Sequence, residues 1–147
     1  MTSGRRLALY TILIATACAH TDRSYPDIPP PSEFQHVLTS ALEDYFGPTN
    51  NGEITVGYQL LRDGPTITGI AYPKYYVWVQ VRSADTIVLE GVARVAAIKR
   101  SFEVTNFVSV LGIKTEPALV DSIFPHALAD IIRQRAEHAR TVRRRGA

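Results

Sequence analysis

The sequence predicts an α+β fold, an N-terminal helix packed on an antiparallel sheet of four to five strands, with a C-terminal helix added. Three patterns carry that expectation. Apolar residues recur every three or four positions between Phe34 and Phe46, every second position over roughly the next sixty residues, and every three or four again from Leu119 to Ile132. The connections inside the middle stretch are short, which makes neighbouring strands antiparallel.

The first helix has a start, a stripe and a stop. Ser32 directly follows Pro31 and stands three residues before Gln35, the spacing of a capping box. Phe34, Val37, Leu38, Ala41, Leu42, Tyr45 and Phe46 fall on one side, and Glu33, Gln35, Ser40, Glu43 and Asp44 fall off it. Gly47-Pro48 ends the pattern. His36, beside the polar side, reads as a solvated surface histidine.

Five segments then read as strands: Ile54 to Leu61, Thr66 to Ala71, Tyr75 to Arg82, Thr86 to Ile98 and Phe102 to Val110. Turn-like residues separate them, at Arg62-Asp63-Gly64-Pro65, Tyr72-Pro73-Lys74, Ser83-Ala84-Asp85 and Lys99-Arg100-Ser101. In Tyr75 to Arg82 one face carries Tyr75, Val77, Val79 and Val81, while the other carries Tyr76, Trp78, Gln80 and Arg82. The first face is expected to meet a helix, and the second to be mixed, aromatic and charged, with Glu90 and Arg94 joining it from the next strand. A second helical region is expected from about Glu116, with Thr115 as its cap and a break at Pro125, which lacks the amide proton a helix interior requires.

The segment before the first helix reads as an address. Arg5 and Arg6 precede an uncharged run, Leu7 to Ala17, that ends in small residues against Cys18. That is the layout of a secretory signal. The run is about half the roughly 20 residues a membrane-spanning helix needs. Ala15-Thr16-Ala17-Cys18 resembles the lipobox of bacterial lipoproteins, although Ala15 stands where that family most often has leucine. The resemblance implies removal of residues 1–17, lipidation of Cys18 with palmitate-type acyl chains, and an envelope protein facing the periplasm. Ala19, where an inner-membrane lipoprotein commonly has aspartate, points to the outer membrane. An ordinary signal cut after Ala17 is the other reading, and it leaves Cys18 as a lone exported thiol.

Removing 17 of 147 residues leaves 130, enough for one domain. It also removes two of the 16 basic residues, leaving 14 against 14 acids. A near-neutral exported domain argues against nucleic acid as a partner. The expected organisation is a signal peptide at 1–17, lipidated Cys18 with a Pro-rich tether to residue 31, one domain over 32–139, and a basic tail at 140–147. The tether, ending in Tyr25-Pro26-Asp27-Ile28-Pro29-Pro30-Pro31, is expected to be a semi-rigid spacer of roughly 40 Å at most. The tail holds Arg140, Arg143, Arg144 and Arg145, and reads as a solvated basic end.

Helix first, then a curled antiparallel sheet, is an order that resembles the cystatin-like and nuclear-transport-factor-like folds over roughly Ser32 to Val110. The resemblance rests on element order and on no motif. It implies a helix lying in the concave side of the sheet and, in the second family, a cone between the two able to hold a ligand or an active site.

Catalytic signatures are sparse. The sequence contains no Gly-x-Ser-x-Gly elbow, no His-Glu-x-x-His and no Gly-x-x-x-x-Gly-Lys loop, and its single cysteine excludes a cysteine metal cluster. Asp121, His126 and Asp130 come nearest to a constellation, but Pro125 disturbs their register and a solvated helix face is the simpler reading. Tyr76, Trp78, Gln80, Glu90 and Arg94 form the candidate ligand or partner face, with ordinary cross-strand packing as the plain alternative. No cofactor and no metal is expected. The function read from these features is a lipid-anchored envelope protein whose non-catalytic domain binds another protein. The alternative is a small-ligand binding protein or an enzyme using the cone between helix and sheet.

Overall fold

The computed structural model describes residues 25–49 and 53–139. The signal segment, Cys18 and the arginine tail lie outside the described residues. Four antiparallel strands form one sheet in chain order, β1 (Ile54–Leu60), β2 (Lys74–Ser83), β3 (Thr86–Ile98) and β4 (Ser101–Ser109). Helix α1 (Phe34–Phe46) lies on one face, against both edge strands β1 and β4, so the sheet curls around it. Helices α2 (Val110–Thr115), α3 (Ala118–Ile123) and α4 (His126–His138) follow the sheet, and the core under its opposite face is built from them.

Strand alternation sorts the core into two clusters. Leu38, Leu42 and Phe46 of α1 meet Val56, Tyr75, Val77, Val79, Val81, Ala93, Val95, Ala97 and Phe102. Tyr76, Trp78, Val92 and Val108 point the other way and meet Val110, Ile113, Val120, Phe124, Leu128, Ala129 and Ile132. The second face is therefore not an open mixed surface. Burial on both faces explains the uninterrupted apolar run from Tyr75 to Val79, all of it buried. On the first face, the volume in which a cone was expected is filled by fully buried Leu38, Leu42, Val77, Val79 and Val81.

Local chemistry explains where elements begin and end. The capping box at Ser32 does not form. Pro30 O instead accepts the amides of Glu33 and Phe34, both at 2.9 Å, and Glu33 occupies the cap position with a helical backbone and no side-chain bond. At the other end the chain tightens into a 3-10 turn, Gly47–Thr49. Thr66 to Ala71 is not a strand. Thr66 pairs with Lys74 on the stretch of β2 that β1 leaves open, but the turn at Gly69, φ 56°, with Ala71 N donating to Thr68 O, then bends the segment away after that single bridge. Thr and Ile suit a pleated, half-buried surface, and without a neighbour that preference has nothing to act on. Thr115 closes α2 by donating to Leu111 O and does not start the next helix, while Ser109 caps α2 by accepting from Gly112 N at 3.2 Å. Pro125 breaks the C-terminal helical region as expected, at φ −57°, immediately before α4.

The last residues of the expected spacer belong to the fold. Lys99 and Arg100 form the two-residue β3–β4 turn at φ 49° and 61°, a conformation non-glycine residues resist. Asp27 latches that turn. Its Oδ1 accepts from Lys99 N and its carbonyl from Arg100 N, each at 2.9 Å. Beside it Pro29 is buried and Ile28 packs against the α1 cluster. The spacer expected to run to Pro31 therefore does not include Asp27 to Pro29.

Candidate functional site

Of the five candidate residues, Trp78, Gln80 and Glu90 are brought together and Tyr76 and Arg94 are not. Gln80 and Glu90 are cross-strand partners on β2 and β3, and Trp78 stands two residues before Gln80 on the same face. Trp78 Nε1 and Gln80 Nε2 both donate to Glu90 Oε1 at 2.9 Å. Arg82 donates to Gln80 Oε1 at 3.2 Å, so the amide is held by its oxygen and spends its nitrogen on Glu90. These residues floor an open groove of about 660 Å³, walled by Gly57, Tyr58 and Gln59 of β1 and by Ile131, Gln134, Arg135 and His138 of α4.

Glu90 is only 9% exposed, the one charged side chain in the core of the described residues. Its two donors are neutral. The ion pairs among the described residues join Arg133 to Asp121 and to Asp130, so none compensates Glu90. Burying a carboxylate without a counter-charge costs several kcal/mol, and two neutral hydrogen bonds return only part of it. Arg135, the cation on the groove wall, spends Nη1 on Gln59 Oε1 at 2.8 Å. Glu90 Oε2 accepts no hydrogen bond from the described residues. The floor of the groove thus offers an acceptor able to take an ammonium or guanidinium group.

Tyr76 and Arg94 serve the core under α3. Tyr76 lies edge-on to Phe124, ring centroids 6.2 Å apart, and its hydroxyl pairs with Thr66 Oγ1 at 2.7 Å. Arg94 bonds Thr105 Oγ1 through Nε and the Ile123 carbonyl through Nη1, both at 3.1 Å, and so ties the end of α3 to the sheet. Both candidates thus make structural contacts away from the groove, Tyr76 buried and Arg94 half-buried.

Asp121, His126 and Asp130 do not form a site. Arg133 Nη2 donates to both carboxylate oxygens of Asp121 at 2.6 Å, and His126 is exposed at the start of α4. No group of His, Cys, Asp or Glu able to hold a metal occurs among the described residues. His36 is exposed on the wall of a second open groove, about 520 Å³, between α1 and β4.

The α4 wall was the part missed from sequence. Ile131, Arg135 and His138 share one side of the helix, immediately beside the buried stripe of Leu128 and Ile132. Polar residues bordering an apolar stripe near a helix end were the available signal. No protein-family model, curated protein or solved structure matches the chain.

Proposed function

We propose that this chain is an envelope lipoprotein, anchored to the periplasmic side of the outer membrane through acyl chains on Cys18, whose domain is a non-catalytic binding module. The partner it receives is a protein segment presenting a lysine or arginine, which docks on Glu90 in the groove between β1 and α4. One observation carries the binding reading: a carboxylate 9% exposed, without a compensating cation among the described residues, sits at the floor of an open groove. A protein retains such a costly group where a ligand completes it. Among the described residues Glu90 has neither a second titratable group nor a nucleophile at hydrogen-bond distance, which favours binding over catalysis. No described helix is long and apolar enough to cross a membrane, which leaves attachment to the address at Arg5 to Cys18.

In-cell crosslinking tests this with the native chain, Cys18→Ser and Glu90→Gln. Capture of one stoichiometric envelope protein, lost in Glu90→Gln and reduced when the anchor is lost, is the expected result. Equal capture by Glu90→Gln would remove the groove from the account. Turnover of a small substrate by the purified chain, with a matching change in Trp78 fluorescence, would replace the binding reading with an enzymatic one.

A further inference from the structure

The long β1–β2 loop, residues 61–73, is built unlike the rest of the surface. It projects three large apolar side chains within six residues: Ile67 is 38% exposed, Tyr72 is 47% exposed and Ile70 stands fully in solvent at 107%. The loop turns at Gly69, φ 56°, with Ala71 N donating to Thr68 O, so the turn beside Ile70 is a defined one. Single exposed apolar residues are ordinary, whereas a cluster on one projecting loop marks a contact surface.

Its position says what it contacts. Pro73 O accepts from Ala97 N at 2.8 Å, and Lys74 pairs with Ala96, which puts the base of the loop at the end of the sheet where β3 turns into β4. That turn, Lys99-Arg100, is where Asp27 fastens the N-terminal segment. The chain leading to Cys18 therefore departs from the same end of the sheet that carries the loop. Cys18 lies seven residues before Tyr25, and seven extended residues span at most about 25 Å. The charge at this end is balanced: Arg62, Lys74, Lys99 and Arg100 are matched by Asp27, Asp63, Glu103, which pairs with Ala96 next to Lys74, and Glu33, beside the Phe34 ring that packs on Tyr75 and Phe102.

We infer that loop 61–73 is a membrane-contact element: Ile67, Ile70 and Tyr72 enter the acyl boundary of the lipid surface that holds the anchor. This rests on the proposed anchor for its geometry. Two contacts at one end of the sheet would hold the domain upright. Gln80 lies six β2 residues from Lys74, about 20 Å along the strand, so the groove then opens away from the lipid, where a partner can reach it.

Vesicles of phosphatidylcholine and phosphatidylglycerol with brominated acyl chains test it on the full chain carrying Ile70→Trp. In the lipidated protein, vesicle flotation reports the anchor, and quenching of the added tryptophan reports the loop. Buried Trp78 in the otherwise unchanged protein gives the unquenched reference. Quenching and a blue shift of the Ile70→Trp emission are expected. A protein that floats while that emission stays unquenched overturns the inference and leaves the anchor standing. Loss of flotation in Cys18→Ser, at low lipid, establishes the anchor, and unchanged flotation refutes it. At millimolar lipid the Cys18→Ser chain still isolates the loop. There Ile70→Asp should lower the vesicle-bound fraction about tenfold with an unchanged thermal midpoint, and an unaltered fraction again refutes membrane contact.

Discussion

Gly91 allows β3 and β4 to come together beside the groove, and replacing it with alanine gives a sharp test of that packing. Gly91 pairs with Ser109 at the end of the β3–β4 ladder. A Cβ there would lie 2.3 Å from Val108 O and 2.8 Å from both Phe107 Cζ and Ser109 Cα. Carbon to carbonyl oxygen needs roughly 3.3 Å, so β4 must withdraw by about 1 Å. Phe107 can rotate slightly, but Val108 O and Ser109 Cα are backbone and cannot yield alone. Overpacking of this kind costs about 1–3 kcal/mol. Withdrawing Ser109 also strains the cap on Gly112 N, which adds about 1 kcal/mol. The expected loss is about 3 kcal/mol, or roughly 10 °C in the thermal midpoint of a chain this size, followed by far-UV circular dichroism. Gly57→Ala is the control, because its Cβ meets only Gln80 O at an ordinary 3.9 Å. That variant should be as stable as the parent, or about 0.5–1 kcal/mol more stable, since alanine loses less entropy in a strand. Equal melting of Gly91→Ala and the parent would refute the close approach of β3 and β4.

Three further expectations follow from individual contacts. Burial pushes the Tyr75 phenol above its usual value of 10.0 and moves Tyr58 the same way, so the neutral forms are favoured in the fold. The stability this represents is complete below that value and is lost as pH rises through the raised one. Tyr75→Phe should therefore shift alkaline unfolding to higher pH, and an unchanged titration of stability between pH 9 and 12 would contradict it. Arg94→Met should cost about 1–3 kcal/mol by releasing the Ile123 carbonyl, with hydrogen exchange rising first in α3; uniform exchange across the domain would deny Arg94 that local role. Asp27→Ala removes the acceptor for Lys99 N and should destabilise by about 1 kcal/mol, with trypsin cutting faster at Lys99 and Arg100; unchanged cleavage would show that the turn holds itself.

How much of this was legible in the chain depends on which physical signal was local. Strand periods survive because alternation is a property of each segment, so β3 over Thr86–Ile98 matches the expected limits and Tyr75, Val77, Val79 and Val81 take the expected face. Pro125 was equally legible, since a missing amide proton acts wherever it stands. The cap at Ser32 was not, because it competes with the Pro30 carbonyl, whose position depends on how the preceding segment docks through Asp27 and Ile28. Thr66 to Ala71 has strand composition, but Gly69 turns it away after one bridge to Lys74. What covers the second sheet face was encoded and under-read. Five consecutive apolar residues from Tyr75 to Val79 are the mark of a strand buried on both sides, and they already required a second helical layer.

The groove follows from that layer being too short. Helix α4 has 13 residues, about 20 Å of cover at 1.5 Å per residue, whereas β3, also of 13 residues, extends about 43 Å. Helices α2 and α3 cover the β3–β4 side of that face, so what α4 leaves bare lies toward β1 and β2. The side chains change character where the cover gives out. Trp78, Val92 and Val108 lie beneath the helices, and the next positions on that face of β2 and β3 are Gln80 and Glu90, paired with each other. Polarity at a layer boundary needs no function to explain it, and the half-buried Gln80 and exposed Arg82 fit that account. Glu90 differs in kind. It is placed inward of the rim, with the Trp78 indole turned to hydrogen-bond its carboxylate, so the indole donor is spent on a charge that neutral glutamine would spare. Glu90→Gln keeps an acceptor for both donors and relieves the buried charge, so it should leave stability unchanged or raise it at neutral pH in denaturant titration. A loss of several kcal/mol would make Glu90 a structural keystone and return the groove to a boundary accident.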